Sequence, residues 1–331
     1  MDHTELIAKL KDGNTRAAAR LITIVENDIN ASEKIINSIY KDTGNAYILG
    51  VTGAPGSGKS TFISTITKKF LEQGKKIGIV CVDPTSPLTG GALLGDRIRM
   101  KENFSLENVF IRSMANRGQL GGLARATEDV IKILDVYRCD IIIVETVGVG
   151  QSEVDIFKSA HTVIVLLVPG TGDDIQAIKA GIMEITDIFA VNKMDLPGAD
   201  RKVADIIQML ELNMNYHYDS QNINTEIAKI KQWTPEIVKI NSRTGKNFEM
   251  LLDIISKHKS YLEKEEIISS YLKNRIKSET IQILRHKLTR KVEDLINSNE
   301  LIDEQIKQVI DKSLDPYSMA NLIIKMIGLD K

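Results

Sequence analysis

The sequence predicts an α/β protein: a mostly parallel sheet with helices on both faces, plus helical extensions at the N- and C-terminal ends. Three observations carry this. Short apolar runs of strand length recur through the middle of the chain. One of them opens directly into a Gly-rich loop that leads into helical spacing. The two ends lack such runs and show apolar stripes at helical period among many charges.

Taken in order, residues 1–42 place Leu6, Ile7 and Leu10, then Ala18, Ala19, Leu21, Ile22, Ile24 and Val25, at helical spacing. They predict two or three helices packed on the core. Residues 46–52 form the first strand candidate. The loop Gly53-Ala54-Pro55-Gly56-Ser57-Gly58-Lys59-Ser60-Thr61 follows, and Ser60 to Gln73 then carries Phe62, Ile63, Ile66 and Phe70 on one helical face, with Gly74 at its end. A Gly-x4-Gly-Lys-Ser string between a strand and a helix is the phosphate loop of P-loop NTPases. Its glycines let backbone N–H groups turn inward, and the helix N-terminus adds partial positive charge. Lys59 is expected to reach the β- and γ-phosphates, and the Ser60 hydroxyl to ligate Mg²⁺.

Residues 77–82 are a strand candidate closed by Asp83-Pro84, and the Gly/Ser/Thr-rich stretch 85–97 is a functional loop by its length. Asp83 and Asp96 are candidates to hold Mg²⁺ or its waters, though each residue type also serves caps and turns. The apolar strand candidate 139–144 ends in Glu145-Thr146-Val147-Gly148. A carboxylate there, with a glycine three residues on, suits the Mg²⁺ side of a γ-phosphate sensor. Gly148 lets a backbone N–H approach the phosphate, and 149–153 would be a switch. A further strand candidate, 162–168, precedes Pro169 to Asp174, and a helix from Asp173 sets Gln176 and Lys179 on one face.

The strand candidate 188–191 delivers Asn192-Lys193-Met194-Asp195 at its C-terminal end, where open α/β sheets bind ligands. The Asp195 carboxylate can accept from guanine N1–H and the 2-amino group. Adenine offers neither donor, so the carboxylate would be left desolvated and unpaired. Lys193 would lay its stem along the base. After the strand candidate 237–240, Asn241-Ser242-Arg243 could supply a backbone amide to guanine O6. The expected ligands are therefore GTP or GDP with Mg²⁺. Residues 213–232 are polar and read as a surface insertion. From 247 to 331 the chain is rich in Lys, Glu, Ile and Leu, with stripes at Ile267, Ile268, Tyr271, Leu272 and Ile276 and at Ile281, Ile283, Leu284 and Leu288. These predict packed helices.

The 331 residues suffice for one large α/β domain with helical additions, and the net charge of −1 gives no footprint for nucleic acid or an anionic membrane. Cys81 and Cys139 are the only cysteines and read as buried free thiols of a reducing compartment. No signal-peptide pattern and no membrane-length apolar run is present, so a cytoplasmic protein is expected. The five histidines are scattered, with no Cys-x-x-Cys and no His tract. That weighs against a metal-insertion GTPase of the hydrogenase or urease maturation type, whose cargo needs ligands.

The strings Asp83 to Gly91, Leu94-Gly95-Asp96-Arg97, Gln119 to Ala124 and Glu145 to Glu153 closely resemble the methylmalonyl-CoA mutase-associated GTPases, also labelled ArgK-type or LAO/AO transport-system kinases. The resemblance runs over essentially the whole chain and is strongest from about 46 to 195. It implies a homodimeric GTPase that chaperones an adenosylcobalamin-dependent acyl-CoA mutase, gating cofactor loading and protecting the mutase. It also implies Asp83, Asp96 and Glu145 around Mg²⁺, guanine contacts from Asn192, Lys193 and Asp195, and a third switch bearing Gln176 and Lys179. Pro169 and Thr171 depart from the more Gly-rich turn of the family. The expected organisation is an N-terminal helical extension (1–44), a P-loop GTPase domain (45–260) and a C-terminal dimerisation arm (261–331). The "transport kinase" label finds no phospho-acceptor site or membrane anchor in these residues. Val149 stands where many small GTPases carry a water-orienting Gln, which predicts slow intrinsic hydrolysis accelerated by the partner.

Overall fold

The structure, a computed structural model, describes residues 3–83, 106–115, 122–146, 160–170, 185–219, 233–298 and 300–326. Seven strands form one parallel sheet: β1 (Tyr47–Gly53), β2 (Ile77–Asp83), β3 (Val109–Ala115), β4 (Ile141–Thr146), β5 (Thr162–Leu167), β6 (Ile188–Val191) and β7 (Glu236–Lys239). Their order is β3-β2-β4-β1-β5-β6-β7. The chain leaves β1 to one side, returns to lay β4 against it, and then crosses to β5 on its other side. β1 is thus the topological switch point, and the crevice at its C-terminal end is where such sheets bind ligands.

Alternation along the strands sends side chains to two cores. Leu49, Val51, Ile141, Ile143, Ile164 and Leu166 face helix α4 (Lys59–Glu72) and the later helix Phe248–Leu262, whose Phe248 ring lies 5.5 Å from that of Phe62. Ile48, Val80, Ile142 and Val144 face the other side. That side is covered by α1 (His3–Lys11), α2 (Thr15–Asn27), α3 (Ile29–Ile39) and α5 (Gly122–Val136). Further along the same face, Val165, Leu167, Phe189 and Val191 pack on α6 (Ala199–Asp219).

β3 and α5 are the elements that the sequence pattern did not announce. Arg112 and Ser113 interrupt the apolar run of β3. α5 carries Glu128, Asp129, Lys132 and Asp135, all buried, so it does not show the polar face of a surface helix. It is sandwiched, and its charges have local partners. Asp129 accepts from the Ser32 hydroxyl at 2.6 Å, and Arg275 lies 3.9 Å from Glu128. The Asp135 carboxylate accepts from the backbone N–H groups of Gly44, Asn45 and Ala46, pinning the chain as it enters β1. On α2, Glu26 is held by Arg112 of β3.

The remaining helices are α7 (Phe248–Leu262), α8 (Glu265–Ser298), α9 (Glu300–Ile310) and α10 (Pro316–Met326). α10 starts with Pro at its first position and with Asp315 capping the amides of Tyr317 and Ser318. Those bonds, and the Ser318 hydroxyl first, hold the Asp315 carboxyl below the usual range. The chain divides into two compact units, Met1–Ile276 and Lys277–Lys331. In the second, α9 and α10 pack together, and Ile302 and Ile323 are buried. Element bounds differ from expectation by a residue or two. Glu145 and Thr146 lie inside β4, and Cys139 sits ahead of it. Of the insertion at 213–232, α6 takes the part up to Asp219 and the rest lies outside the described residues, as do the switch segments at 84–105, 147–159 and 171–184.

The ends of the strands opposite the phosphate loop close on a buried polar and aromatic cluster. The Tyr47 hydroxyl meets Thr162 Oγ1 at 2.5 Å, and Thr162 Oγ1 meets His258 Nδ1 at 2.7 Å. Asp187 accepts from the Val163 amide and lies 3.5 Å from His258 Nε2, while its backbone oxygen accepts from the Trp233 indole at 3.0 Å. His161 stacks on Tyr47 and accepts from the Ile48 amide through Nδ1. Burial, seconded by Arg275 and Lys259, pushes the His161 pKa down to about 3. Five histidines looked scattered in the sequence; the fold gathers His161 and His258 here, far along the strands from the nucleotide end.

Candidate nucleotide site

The loop after β1 is shaped for a phosphate chain. Gly53 has φ +151, and a Cβ there would sit 2.4 Å from the backbone oxygen of Leu166 in the neighbouring strand. Gly58, just before α4, has φ +92, and a Cβ there would meet Asn192 Nδ2 at 2.6 Å. Side chains at either position would clash or strain the loop. Ser57 Oγ is buried and has no hydrogen-bond partner in the protein. A Cβ-free cradle, an orphaned hydroxyl and the N-terminus of α4 together fit a bound polyphosphate. Lys59 is buried, and its ammonium donates to the carbonyls of Gly53 (2.7 Å) and Ala54 (3.3 Å) inside the same loop. Ser60 and Thr61 occupy the first turn of α4, and Pro55 and Gly56 are exposed on the outer rim.

The segment after β6 is tied to this loop through one buried side chain. Asn192 Nδ2 donates to the Ser57 carbonyl at 2.8 Å, and its Oδ1 accepts from Ser242 N (3.0 Å) and Ser242 Oγ (2.9 Å). Lys193, at φ +56, reaches back to the Gly56 carbonyl at 2.9 Å. Thr65 of α4 donates to the Ser242 carbonyl at 2.7 Å. Four chain segments thus meet behind the cradle: the phosphate loop, the first turns of α4, Asn192-Lys193 and the loop after β7. Asp195 and Arg243 lie exposed beyond them. Asn241 Nδ2 donates to Asp195 Oδ1, and Asn241 Oδ1 accepts from the amides of Arg243 and Thr244. The stretch Asn241-Ser242-Arg243 is expected to supply a backbone amide to guanine O6, and in this arrangement its three amides are engaged with the Lys246 carbonyl, Asn192 and Asn241.

On the other side of β1, Glu145 is buried within β4, in register with Val51 of β1 and Cys81 of β2. The Cys81 thiol lies 3.6 Å from Glu145 Oε2, and Thr146 Oγ1 donates to Thr52 Oγ1 at 3.3 Å. The backbone of Asp83 closes β2 at the same end of the sheet. Its side chain, and Asp96, Gly148, Gln176 and Lys179 entirely, lie outside the described residues. Among the described residues no group of three or more His, Cys, Asp or Glu could hold a metal ion. Thr65, Cys81 and the pairing of Asn241 with Asp195 were not foreseen from sequence. Each depends on which strands are neighbours, and local pattern does not carry strand order.

A parallel sheet with its phosphate loop at the switch point, and an Asn-Lys-x-Asp segment at a nearby strand end, defines a P-loop GTPase. The comparisons carry this to a family. The model described as methylmalonyl-CoA mutase-associated GTPase MeaB matches residues 18–297, and the chain belongs to that family. A protein of Pyrococcus abyssi (strain GE5 / Orsay) named as a GTPase is 48% identical over 323 residues, covering 98% of this chain and 96% of its own. GTPase ArgK of Escherichia coli (strain K12) is 30% identical over 310 residues, covering 92% of this chain and 89% of its own. The crystal structure of a LAO/AO transport system kinase matches with a TM-score of 0.67 at 24% identity, over 98% of this chain and 97% of that one, and bears on the fold alone. The protein is therefore a GTPase that binds GTP and GDP.

Proposed function

We propose that this GTPase chaperones an adenosylcobalamin-dependent acyl-CoA mutase of the methylmalonyl-CoA mutase type, gating cofactor loading and protecting or reactivating the mutase. The observation that carries the reading is the match to the mutase-associated family over residues 18–297. The chemistry follows from the residues in place. Lys59 and the loop amides bind the β- and γ-phosphates, and Asp195 reads the base edge. Ser60, with Asp83, Asp96 and Glu145, would hold Mg²⁺, directly or through water. When bound, Mg²⁺ neutralises charge between the β- and γ-phosphates. Gly148 would bring a backbone N–H to the γ-phosphate. The segments 83–97, 145–153 and 170–180 would order around GTP and relax after hydrolysis, changing the grip on the mutase.

In this reading 1–44 is a helical extension of the GTPase domain (45–260), and 261–331 is the arm that joins two copies in a cytoplasmic homodimer. Exposed Leu272 and Ile276, and in the second unit exposed Ile281, Leu284 and Leu288, support an apolar contact there. No helix among the described residues is long and apolar enough to cross a membrane.

The test is co-purification of the full chain with a cobalamin-dependent acyl-CoA mutase in a non-hydrolysable GTP analogue, paired with single-turnover hydrolysis. We expect capture in the analogue, loss of capture in GDP, and hydrolysis faster with the mutase than without it. No capture in any nucleotide state, or transfer of the γ-phosphate to protein instead of water, would overturn the proposal.

A further inference from the structure

The loop after β7 does more than close the site. Asn241 is fixed by its own backbone: its N–H donates to the Lys246 carbonyl at 3.2 Å, and its carbonyl accepts from Gly245 N at 2.9 Å. Its side-chain oxygen accepts two amides, from Arg243 (3.0 Å) and Thr244 (3.1 Å). That settles the orientation of the side-chain amide, because only the oxygen can accept. The NH₂ end must then point the other way, and there it donates to Asp195 Oδ1 at 2.5 Å.

Asp195 is exposed and sits on a short side chain whose terminal torsion is soft. A carboxylate has two oxygens and about four acceptor positions. One bond to Oδ1 leaves Oδ2 and a second Oδ1 position open to a purine edge. From this geometry we propose that Asn241 is a positioning residue for base selectivity. It presents a donor to residue 195, so that residue 195 turns its remaining acceptors to the base. This rests on the proposal that Asp195 reads guanine. It assigns the side chain of Asn241 a role distinct from a backbone contact to the base.

The polarity of the Asn241 amide fixes which group residue 195 can turn to the base. In D195N, Asn241 still presents NH₂, so the new amide must offer its oxygen to Asn241 and its own NH₂ to the base. Guanine shows donors at N1 and at the 2-amino group and is rejected. Xanthine shows an acceptor at O2 and is favoured. In D195N/N241D, the carboxylate at 241 accepts from the NH₂ of residue 195, turning that amide over. Its oxygen then faces the base and accepts from guanine again. N241D alone keeps the acceptor for the Arg243 and Thr244 amides, and so the loop, while removing the donor to Asp195.

The experiment is calorimetric titration of the full chain and the three variants with GDP, XDP and ADP. N241D should bind GDP roughly tenfold more weakly. D195N should reverse the GDP-to-XDP preference, and D195N/N241D should shift that preference back toward GDP by roughly tenfold or more. If D195N prefers XDP and the double variant keeps that preference, the role of Asn241 is overturned while Asp195 as base reader stands. If D195N leaves the order of the three nucleotides unchanged, the Asp195 assignment falls, and the inference with it.

Discussion

Asn192 illustrates how much one side chain can carry in this site. Its amide bridges the Ser57 carbonyl and the Ser242 backbone and hydroxyl, using donor and acceptor ends at once in a buried position. Gly58 leaves the space that this bridge occupies. A methyl group at 58 would both strain a left-handed residue and push into Asn192 Nδ2. Gly58→Ala is therefore expected to lower GDP affinity by roughly tenfold to a hundredfold, measured by calorimetry. Unchanged affinity would mean that the loop reshapes at little cost. The strings from Gly53 to Thr61 and from Asn192 to Asp195 were legible in the sequence because their spacing is local. What joins them was not. Thr65 to Ser242, Cys81 to Glu145 and Asn241 to Asp195 are contacts across 177, 64 and 46 residues.

Among the elements, α5 is the instructive one. Sequence patterning finds helices by their polar face, and α5 buries Glu128, Asp129, Lys132 and Asp135 between the sheet and α2 and α3. The same burial makes its charges structural. Asp135 accepts from three consecutive backbone amides at 44–46, at the entrance to the strand that ends in the phosphate loop. Asp135→Ala should destabilise the protein by about 2–4 kcal/mol, since partly buried amides lose their acceptor. Asp135→Asn, which keeps one acceptor oxygen, should cost about half as much. Urea unfolding of the two variants checks the order; equal midpoints with the unmodified protein would show that water replaces the carboxylate. The local pattern hides β3 for a related reason: Arg112, in its middle, pairs with Glu26 of α2.

For the whole molecule, the parallel sheet separates two chemistries along the same strands. Nucleotide-binding loops gather at the C-terminal ends, and the Tyr47, Thr162, His258 and Asp187 cluster closes the N-terminal ends. His161 belongs to the second group and stays neutral in the fold, with its pKa lowered to about 3 from 6.5. The unfolded chain takes up that proton below about pH 6.5 while the folded protein does not. The stability that His161 contributes is therefore complete above that pH and declines as pH falls toward 3. Its slope approaches 1.4 kcal/mol per pH unit at most. Unfolding between pH 6.5 and 5 should show this decline, and His161→Asn, which can still accept from Ile48 N–H, should flatten it. An identical slope in the variant would remove His161 as the cause.

The single tryptophan of the chain lies in that same N-terminal cluster. Trp233 donates to the Asp187 backbone just ahead of β6, with its ring centroid 4.6 Å from that of His258. β6 runs from there to Asn192, a span of four residues, or about 13 Å. The protein thus carries a built-in optical probe at the far end of the very strand that leads into Asn192 and the proposed base reader. A change in its emission on adding GTP would be read at the opposite end of β6 from Asn192, which makes it a gauge of long-range response without the attachment of a dye.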